Sequence, residues 1–74
     1  MKELKTLDCT RQGSSAVIVS VNSTQKERLR LEGLGVTPGV EIDVLSHSSG
    51  ILLLGAGEGR FVLEKQVASL IQVL

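Results

Sequence analysis

Aromatic side chains are almost missing from this chain of 74 residues: Phe61 is the only one, with no Trp and no Tyr. That removes the aromatic groove that grips proline-rich peptides and the stacking platforms of single-strand nucleic-acid binders. An excess of either charge is missing too, since 8 basic and 8 acidic residues leave a formal net charge of zero. Nucleic-acid binding draws most of its affinity from phosphate contacts and needs a basic surplus, so nucleic acid is not an expected partner. Cysteine is limited to Cys9, which excludes an internal disulfide and fits a reducing compartment. No apolar run is longer than that of Ile51–Leu54, far short of the ~20 residues that cross a bilayer. The opening MKELKTL carries no apolar stretch of the signal-peptide kind. The expectation is a soluble, cytoplasmic chain.

The groups that carry chemistry are as sparse. Acyl transfer needs a nucleophile beside a base and an orienting group. The single histidine, His47, stands in a Ser-rich stretch that reads as a polar loop. Cys9 lacks a neighbouring base and reads as a small buried hydrophobe. One His and one Cys, far apart, are too few for a closed transition-metal site. Glu41, Asp43, Glu58 and Glu64 read as solvent-facing alternation rather than as oxygen ligands. The glycine-rich segment Gly33–Gly39 has neither the Lys-Ser/Thr of a P-loop nor the spacing of a dinucleotide loop, and it follows a helix rather than opening one. Gly55–Gly59 reads as a flexible hairpin. The expectation is a non-enzyme without catalytic residues, metal ligands or a cofactor.

What the chain does have is Val, Ile and Leu in short runs. Leu4 and Leu7 alternate with polar residues in a short opening segment, and Arg11–Ser15 reads as a turn. Ala16–Asn22 predicts a strand with Val17, Val19 and Val21 on one face. Thr24 and Glu27 have capping-box spacing and open a helix over 25–34, with Gly33 or Gly35 as its left-handed end. Leu31 and Leu34 share a face of that helix while Leu29 points the opposite way, so the helix is either wedged between two surfaces or exposes one. Thr37-Pro38-Gly39-Val40 suits a type II turn. Strands follow over 41–45, 51–54, 60–63 and 70–73, with a polar hairpin loop at 47–50 and one helical turn within 64–69. About five closely spaced strands joined mainly by hairpins predict one mostly β domain over residues 1–74: a small barrel of the SH3-like type, with one short helix after the first main strand.

The segment Arg28–Leu45, RLRLEGLGVTPGVEIDVL, resembles the FeoA family of bacterial ferrous iron uptake. Arg28-Leu29 opens the family pattern, Leu34-Gly35-Val36-Thr37-Pro38-Gly39 forms its centre, and Val40, Ile42 and Val44 its alternating strand. Leu4, Leu7 and Gly13 resemble the family's opening; Val62-Leu63, Ala68, Ile71 and Val73 resemble its close. Glu64, and a 46–50 loop without proline, depart from the pattern. The resemblance implies an SH3-like barrel that works as an adaptor on the cytoplasmic part of a FeoB-type ferrous iron permease, and so meets the membrane only through that partner. Regulation of the permease GTPase cycle, with Arg28 or Arg30 acting in trans, is the alternative; an interaction module like that of iron-dependent regulators is another. The candidate partner-binding residues are Arg28, Leu29 and Arg30 on the helix, Leu34 and Pro38 at its end and turn, and the outward side of Leu52 and Leu54. A second copy is a further candidate partner, with Ile51–Leu54 pairing edge to edge.

Overall fold

The computed structural model describes residues 4–74. Six strands form one antiparallel array in the order β1-β6-β2-β3-β4-β5. They are β1 (Lys5–Thr6), β2 (Ser15–Val21), β3 (Glu41–Ser48), β4 (Ile51–Ala56), β5 (Gly59–Glu64) and β6 (Ile71–Val73). A 3₁₀ turn, Leu7–Cys9, follows β1; helix α1 (Gln25–Gly33) joins β2 to β3, and the single turn α2 (Lys65–Ala68) joins β5 to β6. The strand that the sequence pattern alone does not define is β1, two residues held against Val73 and Gln72 of β6. The array curls into a small SH3-like barrel around Leu7, Ile18, Leu31, Ile42, Val44, Leu52, Leu54, Ile71 and Val73, all buried. Every buried side chain among the described residues is apolar, and Phe61 only packs against the margin of this core.

Local chemistry explains the elements. The Thr24 hydroxyl accepts the Glu27 amide at 3.2 Å, satisfying one of the free donors of the first turn of α1. The helix stops in a Schellman motif. Gly35 sits at φ +90°, its amide donates to Glu32 O at 2.9 Å, and the Val36 amide donates to Leu31 O at 2.9 Å. Gly35 is thus the left-handed residue, while Gly33 stays helical. Leu31 and Val36, the apolar pair that seals such a motif, are both buried. Three residues on, Val40 N–H bonds Thr37 O at 3.2 Å with Gly39 at φ +90°, a type II turn with Pro38 at its corner. Gly39 N–H then donates to Ile18 O at 2.8 Å, pinning the turn to β2.

Two irregularities shift which side chains face inward. The pairing of β2 with β6 jumps between Ile18 and Ser20, so Val19 is the extra residue of a bulge. Ile18 and Val21 therefore both turn to the core, and Val17, Val19 and Val21 do not share one face as simple alternation predicts. A second shift, between Val44 and Ser46, makes Leu45 the extra residue in β3. That strand runs on to Ser48, and the expected loop over 47–50 contracts to Ser49 and Gly50, at φ 49° and 78°. Positive φ at both central residues is the type I′ geometry that matches strand twist. Gly57 and Glu58 likewise suffice to join β4 to β5.

The placement of β4 corrects two expectations. Leu52 faces Leu63 and His47, and Leu54 faces Phe61 and Val44. Both leucines are core, at 1% and 0% exposure, so the outward side of β4 belongs to Ile51 and Leu53. A strand apolar on both faces does not declare its parity; the cross-strand register does. β4 is also paired on both sides, to β3 and β5, and cannot meet another chain edge to edge. Substituting Leu54→Ala should cost about 2–5 kcal/mol in urea unfolding. Gly35→Ala should cost about 1–2 kcal/mol through backbone strain alone, because a Cβ there meets only Ala56 Cβ at 3.8 Å, an ordinary contact.

Candidate functional site

The apolar groups left outside the core mark where the molecule can meet something else. On α1 only Leu31 is buried. Leu29 lies two residues away, about 200° around the helix, and is 58% exposed. The helix therefore exposes one of its two apolar sides. Arg28 and Glu32, with Val21, Val36 and Pro38, line a small cleft of about 140 Å³ beside the type II turn. Arg28 and Pro38 are thus brought together, with Leu29 on the adjoining outer face. Leu34 closes the helix at its C-terminal end and is 37% exposed.

Arg30 is turned to the other flank. Its Nε donates to Glu27 Oε2 at 3.2 Å and its Nη2 to Glu27 Oε1 at 2.5 Å. This bidentate pair satisfies the guanidinium fork within α1. The Arg30 hydrogen bond holds the Glu27 carboxyl below its ordinary range, opposed by partial desolvation and assisted by the Arg30 and Lys26 charges. Arg30 and Glu27 line a second cleft with Val62, Leu63 and Glu64 of β5. Of the two arginines singled out from sequence, Arg28 has no carboxylate partner among the described residues and Arg30 does.

Of the remaining candidates for chemistry, His47 has a structural role. His47 Nε2 lies 2.9 Å from Thr10 O; a carbonyl only accepts, so this nitrogen carries the proton. The His47 amide donates to Gln12 Oε1 at 3.2 Å, and together these bonds tie β3 to the 10–14 loop. Cys9 is exposed rather than a buried hydrophobe, because the tight turn that sends Leu7 inward sends Cys9 outward. No grouping of three or more His, Cys, Asp or Glu suited to a metal ion occurs among the described residues. No helix among them is long and apolar enough to cross a membrane.

Ile51 and Val62 are surface residues, at 45% and 59% exposure; Ile51 belongs to the strand expected to pair with a second copy, and Val62 is one the sequence pattern does not single out for binding. The signal for Val62 is present: Arg60 and Glu64 flank it at alternate positions, which puts all three on the solvent face of β5.

The Arg30→Ala change should raise the Glu27 carboxyl titration toward the ordinary glutamate range in a carbon-detected NMR experiment. Because the folded value is the lower one, the stability contributed by the pair is present above the unfolded value. It is lost as pH falls through the folded value. The stability difference between the two proteins should shrink in the same acid interval. An unmoved Glu27 titration contradicts this account.

Comparison with known proteins places this geometry. A model of the FeoA domain matches residues 5–74. A crystal structure of an iron uptake regulatory protein (FeoA) is similar, with a TM-score of 0.87 at 27% identity, covering 99% of this chain and 97% of that one. Iron(II) transport protein A from Clostridium thermocellum is similar with a TM-score of 0.83 at 25% identity, over 92% of this chain but 43% of that one. A manganese-dependent transcriptional repressor shares the fold with a TM-score of 0.86 at 17% identity, over 100% of this chain and 42% of the repressor. None of the curated proteins matches the chain.

Proposed function

The chain belongs to the FeoA domain family, small accessory domains associated with ferrous iron transport, and on that premise we propose that it docks on the cytoplasmic part of a FeoB-type permease and modulates iron uptake. Iron is the cargo of that system, carried by the partner. The observation that supports docking through α1 is Leu29. It is a leucine held 58% exposed on a helix whose opposite side is fixed in the core, beside an arginine without a carboxylate partner among the described residues. An exposed apolar side chain bordered by Arg is the composition of an interface anchor. The docking surface is Leu29 with Arg28 and the Pro38 turn; Leu34, on the Leu31 side of the helix, lies outside it.

A regulatory effect on the permease GTPase has one specific observation in its favour. Arg30 is occupied by Glu27, whereas Arg28 keeps its guanidinium available. An arginine supplied in trans raises GTP hydrolysis by about 10³–10⁵ in known cases. GTP turnover that stays unchanged at saturating adaptor rules this second reading out.

Calorimetric titration of the full chain into the full-length permease, and into its cytoplasmic domain, tests the first reading. Leu29→Asp should weaken binding about tenfold or more, the size of a modest hot spot. It should leave stability within about 0.5 kcal/mol, as for other surface substitutions. Absence of binding by the unaltered chain to either form of the permease would falsify the proposal.

A further inference from the structure

Strand β5 ends the sheet, and its outer edge is open. Lys65 N–H donates to Gly50 O at 2.8 Å, which makes Ile51 and Glu64 a non-hydrogen-bonded pair of the β4–β5 ladder. Pairs alternate along an antiparallel ladder, so Leu53–Val62 and Gly55–Arg60 are of the same kind. Arg60, Val62 and Glu64 therefore turn their backbone N–H and C=O groups away from β4. No strand among the described residues pairs with them, and their side chains are exposed. An open edge of this kind is a template for another strand unless charge or shape prevents it. Nor does α1 seal this one: between Glu27 and Arg30 of the helix and Val62, Leu63 and Glu64 of the strand runs an open cleft of about 460 Å³.

The sequence of the edge specifies the occupant. Read outward from Val62, the strand is Arg60-Phe61-Val62-Leu63-Glu64. An antiparallel copy centred on the same residue sets Val62 opposite Val62 and Arg60 opposite Glu64, twice by symmetry. All three of these pairs are hydrogen-bonded positions on an edge whose free groups belong to those same residues. Both charge pairs are attractive, the register is fixed by the strand's own alternation, and the interface is isologous, the commonest closed form. Leu53 stands across from Val62 on the outward face, so the two copies would share an apolar strip between their charged ends. We propose that a second copy of this chain pairs with it through β5, antiparallel about Val62, joining two barrels into one continuous sheet. A single shared strand buries less than the ~1,000 Å² of a standing interface, so the dimer is a weak one that forms with concentration. This pairing is independent of docking through Leu29, which lies on the outer face of α1.

Charge reversal with rescue tests it. Sedimentation equilibrium of the full chain in low salt, up to about 1 mM as suits a weak interface, should show a monomer–dimer equilibrium. Arg60→Glu or Glu64→Arg alone sets like charges opposite each other twice and should weaken association about tenfold. The double change R60E/E64R restores opposite charges in the same register and should restore association. Both residues are exposed, so each variant should stay folded; Arg60→Glu should unfold in urea as the parent does, and Glu64→Arg, which sets a second cation near Arg30, slightly earlier. A chain that stays monomeric at the highest concentration overturns the proposal. So does a dimer that the single reversals leave intact, or one that the double reversal fails to recover.

Discussion

Leu31 is the one side chain by which α1 enters the core, and its burial depends on how the helix ends. A nine-residue helix is marginal in water by itself. It is held by burial of Leu31, worth about 1.5–3 kcal/mol, and by the Schellman motif that folds Val36 back onto Leu31 through Gly35. With no buried aromatic among the described residues, the barrel interior is filled by branched aliphatic side chains, and the helix supplies the piece that the strands do not. The consequence reaches the surface. Once Leu31 is fixed inside, the 3.6-residue period fixes Leu29 outside, and the Gly35–Gly39 segment sets the Pro38 corner beside Arg28.

Polar side chains on the surface are committed to local bonds in the same way. His47 is committed to the Thr10 carbonyl, Arg30 to Glu27, and Ser15 and Ser20 to cross-strand bonds with Asp43 and Gln72 at 2.6 and 2.8 Å. The exposed apolar groups that remain lie on a helix face and along a strand edge. The manganese-dependent repressor carries the same fold over 42% of its own, longer chain.

Much of this was legible from residue types acting locally. The Thr24 cap, the left-handed glycine after α1, the Pro38-Gly39 turn and the α2 turn each follow from one or two side chains whose backbone preferences are strong. Parity was not legible. The bulges at Val19 and Leu45 carry no marker such as glycine, and each reverses the face of the residues after it. In β4, four consecutive apolar residues fit either parity, so Leu52 and Leu54 could be placed outward until the register with β3 and β5 placed them in the core. The open edge of β5 and the exposure of Cys9 follow from sheet order and from a 3₁₀ turn, both set by tertiary pairing. On the surface, the helix residues Arg28 and Leu29 kept their expected exposure because helical period is robust over nine residues.

The central claim is that the face carrying Leu29, bounded by Arg28 and the Pro38 turn, is the surface that meets the permease. Backbone amide shifts of the isotopically labelled chain, followed while the permease's cytoplasmic domain is added, test it most directly. The account predicts that perturbed amides concentrate in Lys26–Gly33, Thr37 and Gly39, with β1 and β6 unmoved. Binding that instead perturbs β1 and β6, and leaves α1 silent, contradicts it.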